Sequence, residues 1–305
     1  VKAQSAAPDP RGTLIDIGGG RRMHLVATGP AGATPPVLLE AGAFGFSADW
    51  AAVQASLAAR GVRSLAYDRA GLGFSDPGPS PRDGVAIAAD LEALLAAAGE
   101  AGPFILCGHS MAGLHLRLYA ARNPARVAGV VLVDATTPEA MDAPLTGRLV
   151  GHFGVFSRLA AWGAGLGLFK PLARTGLGDA IGLDGPAGDE KRWAFAHADH
   201  NVWAADEVVE WPATARQARE AGDFDPAWPV AVVLAGGRHR ADGFTATQAA
   251  PAKASAHGQV EVVQGASHAT VLSGAYAAAI LRGVDHVMAS LPSPLAGEDG
   301  GEADG

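Results

Sequence analysis

Apolar runs recur along the chain, at 36–40 (PVLLE, closing on Glu40), 104–107 (FILC), 127–133 (VAGVVLV) and 229–235 (PVAVVLA), and two further strand-like segments, 62–67 and 260–263, carry polar residues within them. Runs of this length without polar alternation predict strands buried on both faces. Between them the apolar positions fall three and four apart. Trp50, Val53 and Leu57 share one helical face, as do Ala88, Leu91, Leu95 and Ala98, then Leu114, Leu118 and Ala121, and finally Ile280, Val284, Val287 and Leu291. Ser47 stands where the first of these helices would take its cap, and Gly61 where it would stop. Two shorter runs, 13–17 and 23–28, flank Gly18, Gly19 and Gly20 and predict a hairpin. Strands alternating with helices make an α/β fold with a mostly parallel central sheet, helices on both faces and its ligand site at the carboxyl ends of the strands.

The alternation lapses from 137 to about 224. There the chain offers helical pieces punctuated by Gly and Pro and rich in large apolar residues, among them Phe153, Leu159, Trp162, Trp203 and Trp211. So long a stretch without strands predicts an inserted helical cap resting on the sheet edge. The expected organisation is a flexible leader 1–12, a first part of the core 13–136, the cap 137–226, a second part of the core 227–291 and a disordered acidic tail 292–305.

Composition narrows the function more than the fold. The chain has 305 residues, a formal charge of −8 and no cluster of Lys and Arg able to track a phosphate backbone, so nucleic acid is not an expected partner. The longest uncharged apolar stretch, 159–169, is well short of the ~20 residues of a membrane span. The single cysteine, Cys107, excludes an internal disulfide and fits a cytoplasmic protein, although the small, polar leader leaves export open. The sequence sets no oligomeric state.

The candidate chemistry is concentrated at 104–113, FILCGHSMAG. An apolar strand runs without a spacer into Gly108-His109-Ser110-Met111-Ala112-Gly113, and a helix pattern starts at once. Strand, sharp turn and helix with small residues around a serine are the parts of a nucleophile elbow. A serine hydroxyl must pass its proton to a base as it attacks, and histidine suits that role near neutral pH. Of ten histidines, His268 is best placed, just beyond the last strand; His109 is expected to point away from Ser110, and His24 lies in the first hairpin. The third member is a carboxylate. Asp134 closes the 127–133 strand directly, whereas Asp242 needs a longer loop after the 229–235 strand, so Asp134 is preferred. His197 and His200 share a helical face, but no third ligand is placed, and neither a metal nor another cofactor is expected.

LLEAGAFG, YDRAGLGFSD, GHSMAG, VVLVDATTPE and GASH, in this order, resemble the α/β-hydrolase superfamily over 13–291, and most of all its lidded serine esterases. The resemblance implies Ser110 as nucleophile, His268 as base and then acid, and an oxyanion hole from the backbone N–H groups of Ala43 and Met111. Where the family often has His-Gly, this chain has Ala41-Gly42. The elbow residue is serine, unlike the aspartate of the related epoxide hydrolases and haloalkane dehalogenases. The reaction implied by the resemblance is hydrolysis of a small or medium apolar carboxylic ester through an acyl-enzyme. Amide, lactone or carbon–carbon bond hydrolysis and cofactor-free perhydrolysis would use the same parts, and a slow-turnover binding protein is the reading of another class.

Overall fold

The computed structural model describes residues 7–142, 144–237 and 242–291. The tail 292–305, the first six residues of the leader, and residues 238–241 with the side chain of Asp242 lie outside the described residues. Strands β1 (Thr13–Asp16) and β2 (Arg22–Thr28) form the hairpin, followed by β3 (Val37–Glu40), α1 (Ala51–Ala59), β4 (Ser64–Tyr67), α2 (Gly84–Ala97), β5 (Phe104–His109), α3 (Ala112–Arg122) and β6 (Val127–Val133). Helices α4 (Pro144–Gly165), α5 (Gly185–Ala196), α6 (Ala198–Val209) and α7 (Trp211–Glu220) come next, with no strand among the described residues of that stretch. Strand β7 (Val230–Gly236), α8 (Asp242–Ala254), β8 (Gly258–Gln264) and α9 (Ala277–Ala289) complete the chain.

The eight strands make one sheet in the order β1-β2-β4-β3-β5-β6-β7-β8. Pairings from β4 through β8 are parallel, and only β1–β2 and β2–β4 are antiparallel. Side chains alternate across each strand, so one buried run feeds two cores. Leu39, Ile105, Cys107, Val131 and Val233 pack with residues of α1 and α9. Leu38, Leu106, Val130, Leu132 and Val232 pack on the other face with those of α2 and α3. Burial on both faces is why these strands read as continuous apolar runs. The outermost strand β8 instead alternates exposed and half-buried positions, as expected of an edge.

Two expectations differ in detail. Ser47 opens a short 3-10 turn, Ser47–Trp50, whose cap is Phe46; its N–H goes to Asp68 Oδ1, at 2.9 Å. The last residues of the supposed leader are held: the Arg11 N–H and Nε donate to the buried Glu190 of α5 at 2.9 and 2.8 Å. A charge buried in α5 needed a partner, and the chain ahead of β1 supplies it. Among the described residues no helix is long and apolar enough to cross a membrane.

Candidate active site

Strand β5 lies in the middle of the sheet, and its last residues feed the turn that carries Ser110. Ser110 sits at φ +58°, a left-handed conformation that costs a non-glycine residue of order 1 kcal/mol. Its surroundings hold it there: its N–H donates to Val133 O at 3.2 Å, and its carbonyl accepts from the Thr136 N–H at 2.8 Å. Tight approaches require glycine on both sides. A Cβ on Gly108 would lie 2.6 Å from Leu116 Cδ1, and one on Gly42 would lie 2.7 Å from Ser110 Cβ.

His268 follows β8 in a turn tied by Ser267 and Thr270, whose backbone N–H groups donate to each other's hydroxyls at 2.9 and 3.2 Å. Its Nε2 is 2.9 Å from Ser110 Oγ, and its Nδ1 is 2.7 Å from Asp134 Oδ2. Asp134 leaves β6 at φ +46°, and its second oxygen accepts the Ala235 N–H at 3.1 Å. With Nδ1–H donated to a carboxylate, Nε2 presents its lone pair to the serine hydroxyl. The Asp134 side chain is 3% exposed and that of His268 56%, so the carboxylate is sheltered while the imidazole keeps contact with solvent. Asp134, one of the two carboxylates weighed from the sequence, stands beside His268; the side chain of Asp242 lies outside the described residues.

Ala43 and Met111 lie on the same sheet edge. Met111 precedes the first turn of α3, where backbone N–H groups have no intrahelical acceptor. Ala43 is in the turn closed by Gly45 N–H to Gly42 O, at 3.0 Å, with Phe44 at φ +58°. The Gly42 carbonyl also accepts from Arg69 Nη2 at 2.9 Å, and that of Ala41 from Arg69 Nη1 at 2.6 Å. Because a trans peptide directs C=O and N–H oppositely, fixing Gly42 O toward Arg69 turns the Ala43 N–H to the other side of the loop.

Arg69 is the residue that sequence reasoning missed. It is buried between Glu40, at the end of β3, and Glu207 of α6, with contacts of 2.7 and 2.8 Å. Both carboxylates raise its pKa against the opposing effect of burial. Glu40 also meets Tyr67 and, at 3.2 Å, His115 Nδ1, and it is held below the usual carboxylate range despite a desolvation penalty. The signal was present: PVLLE ends a fully buried strand in a charge, and YDR ends the next in two. Charges there demand opposite partners.

His109 has a partner that the sequence did not name. Its Nε2–H donates to the His268 carbonyl at 2.8 Å, and the two rings lie 4.6 Å apart. Burial first, then the neighbouring His268, pushes its pKa down to about 3, so at neutral pH it is an uncharged donor. His197 and His200 also find ordinary partners. His197 packs on Trp193 with ring centroids 4.5 Å apart, and buried His200 accepts the Gly73 N–H at 3.0 Å. Among the described residues, no group of three or more His, Cys, Asp and Glu is placed to hold a metal.

Ser110, His268 and Asp134 line a cavity of about 1140 Å³. Its walls are largely apolar, including Leu149, Val150 and Phe153 of α4, Ile181, Trp211 and Leu272. Polar groups interrupt them, among them the ion pair of Lys191 with Asp49 at 2.6 Å, the carboxylate of Glu139 and the hydroxyls of Thr136 and Thr146. Such a site can deprotonate a hydroxyl, hold an acyl group in an apolar chamber and return a proton to a leaving group.

A family model described as "alpha/beta hydrolase fold" matches residues 35–169. The eight-stranded sheet and its helices match solved structures over nearly their full length. A "putative epoxide hydrolase" of Pseudomonas aeruginosa is 22% identical, with 94% of this chain and 98% of that one covered, at a TM-score of 0.70. The chain has the α/β-hydrolase fold. The enol-lactonase of Burkholderia xenovorans LB400 has the same hydrolase fold at 22% identity, over 89% of this chain and 98% of that one, with a TM-score of 0.62. A thermophilic esterase of Thermogutta terrifontis has it at 20% identity, over 92% and 100%, again with a TM-score of 0.62. Among curated proteins, this chain is 37% identical to the "probable transporter efuK" of Hormonema carpetanum over 130 residues, 41% of this chain and 18% of that protein. It thus spans under a fifth of that relative's length.

Proposed function

We propose that this chain is a serine hydrolase that cleaves small or medium apolar carboxylic esters through an acyl-enzyme. The observation that carries the reading is the continuous chain of contacts at 2.9 and 2.7 Å from Ser110 Oγ through His268 to Asp134, opening on an apolar cavity. Ser110 Oγ attacks the ester carbonyl as its proton passes to His268 Nε2. The imidazolium is stabilised by Asp134 and then protonates the leaving alcohol. Water, deprotonated by His268, attacks the acyl-enzyme, and the proton returns to Ser110. The N–H groups of Ala43 and Met111 would hold the tetrahedral oxyanion, and losing either donor would raise the barrier by roughly 3 to 4 kcal/mol. The helices between β6 and β7 serve as the cap that walls the acyl chamber.

A serine at the elbow favours this chemistry over one with an ester-forming carboxylate nucleophile. The apolar walls favour an uncharged acyl group, since Lys191 is already paired with Asp49 and Glu139 with Arg117. The test is covalent labelling by a fluorophosphonate together with pre-steady-state turnover of p-nitrophenyl esters of increasing acyl length. Stoichiometric labelling lost in Ser110→Ala, with an acyl burst in the parent, is the expected result. Binding of such esters without burst or label, unchanged in Ser110→Ala, would instead mark a receptor.

A further inference from the structure

Helix α4 is apolar on two faces, and only one of them is covered. Val150, Ser157, Ala161 and Ala164 are buried, and Val150 and Phe153 line the cavity. On the opposite side Val155, Leu159, Trp162 and Leu166 follow one another at helical spacing and are 63, 63, 67 and 59% exposed. Phe156, 64% exposed, stands beside them, and Leu168 and Leu177 beyond the helix are also more than half exposed. A surface helix ordinarily turns charged residues to water, and one that is apolar all round is ordinarily buried. Contiguous exposed apolar residues of this size mark a surface that something covers.

The charges around this face identify what covers it. Between 144 and 178 the chain carries Arg148, Arg158, Lys170 and Arg174 and none of its 31 Asp and Glu residues, within a protein of net charge −8. All four cations are exposed, and Asp206, an acid that feels the charge of Arg158, belongs to α6. A Trp-, Phe- and Leu-rich face flanked by Arg and Lys is the composition of a helix lying in a lipid headgroup layer. A twofold contact with a second copy would bring these cations together without a facing acid in the segment. We propose that the outer face of α4 and the segment following it dock on an anionic phospholipid bilayer. Arg148, Arg158, Lys170 and Arg174 meet the headgroups, while Leu159, Trp162 and Leu166 enter the acyl boundary. Leu149 lines the cavity and is also 59% exposed, so the chamber's wall continues onto the docking face. Docking therefore sets the cavity beside dissolved lipophilic molecules without depending on what reaction occurs within.

The experiment is co-sedimentation of the purified chain, carrying Ser110→Ala so that no turnover intervenes, with vesicles of phosphatidylcholine alone or mixed with phosphatidylglycerol. Partitioning is expected to favour the anionic vesicles, weaken with salt, and fall roughly tenfold or more in Arg158→Gln/Lys170→Gln. Trp162→Phe is expected to keep the binding while losing most of the fluorescence quenching by brominated lipid. These side chains are exposed, so circular dichroism and Tm should match the parent. Failure to bind any vesicle, binding insensitive to Arg158→Gln/Lys170→Gln, or quenching by brominated lipid undiminished in Trp162→Phe, overturns the proposal. So does a dimer in sedimentation velocity that ignores vesicles and dissociates in Leu159→Ser, which would assign the face to a second copy. Absence of esterase activity in the wild-type chain with intact vesicle binding would sink the proposed reaction alone.

Discussion

Ser110, Asp134 and Phe44 are the described non-glycine residues with positive φ, and all three stand at the sheet's carboxyl edge. Backbone strain is thus gathered where side chains must be aimed, as expected where packing over-determines geometry for a purpose. Asp134→Asn leaves the shape of the site but removes the charge that fixes the Nδ1–H form of His268. The expected outcome is a fall of roughly 10³ to 10⁴ in kcat with a circular dichroism spectrum like the parent's. A loss of less than tenfold would show that another carboxylate serves His268. His109 acts through the backbone rather than on substrate: it holds the carbonyl of His268. His109→Leu is expected to lower kcat about tenfold with little change in KM, because a small displacement of the base penalises proton transfer more than binding. Steady-state kinetics read the split, and fluorophosphonate labelling should slow in parallel.

At the scale of elements, Arg69 connects the β3 loop, β4 and α6. It takes the carbonyls of Ala41 and Gly42 on one side and the carboxylates of Glu40 and Glu207 on the other. Removing one member of a buried charge cluster strands the rest. Arg69→Met should therefore destabilise by about 3 to 5 kcal/mol in denaturant unfolding. Arg69→Met/Glu207→Gln should recover part of that loss, because one of the stranded charges is gone. If the two variants are equally unstable, the cluster is held by something other than charge. The elements themselves were legible in the sequence wherever burial was two-sided, and the 127–133 run matches β6 residue for residue. Ser47 was not legible as it stands, because Asp68, distant in sequence, claims its N–H.

For the molecule as a whole, the buried histidines set an acid limit. Burial is the first cause for both His109 and His200, and each is pushed from 6.5 down to about 3. The cationic Lys191 disfavours protonation of both, as do His268 for His109 and His197 for His200, whereas Asp68 opposes the shift at His200. A group depressed in the folded state takes up its proton first in the unfolded chain. Stability from this source is therefore complete above about pH 6.5 and declines as pH falls toward 3, by about 2 kcal/mol per histidine at pH 5. Tm measured from pH 7.5 to 4.5 is expected to fall, and to fall less steeply in His200→Asn. Equal slopes would show that the acid limit comes from other groups.

The sequence by itself determined the strands, the elbow at Ser110, the candidate base His268 and the strandless interval, because each rests on local spacing and steric demand. Tertiary structure alone decided that Asp134 meets His268, that Arg69 clamps the loop carrying Ala43, and that His109 holds the base from behind. It also decided that the second apolar face of α4 is left uncovered. Periodicity tells which residues share a face, but only the packing of distant segments decides whether that face is covered and which buried charges become partners.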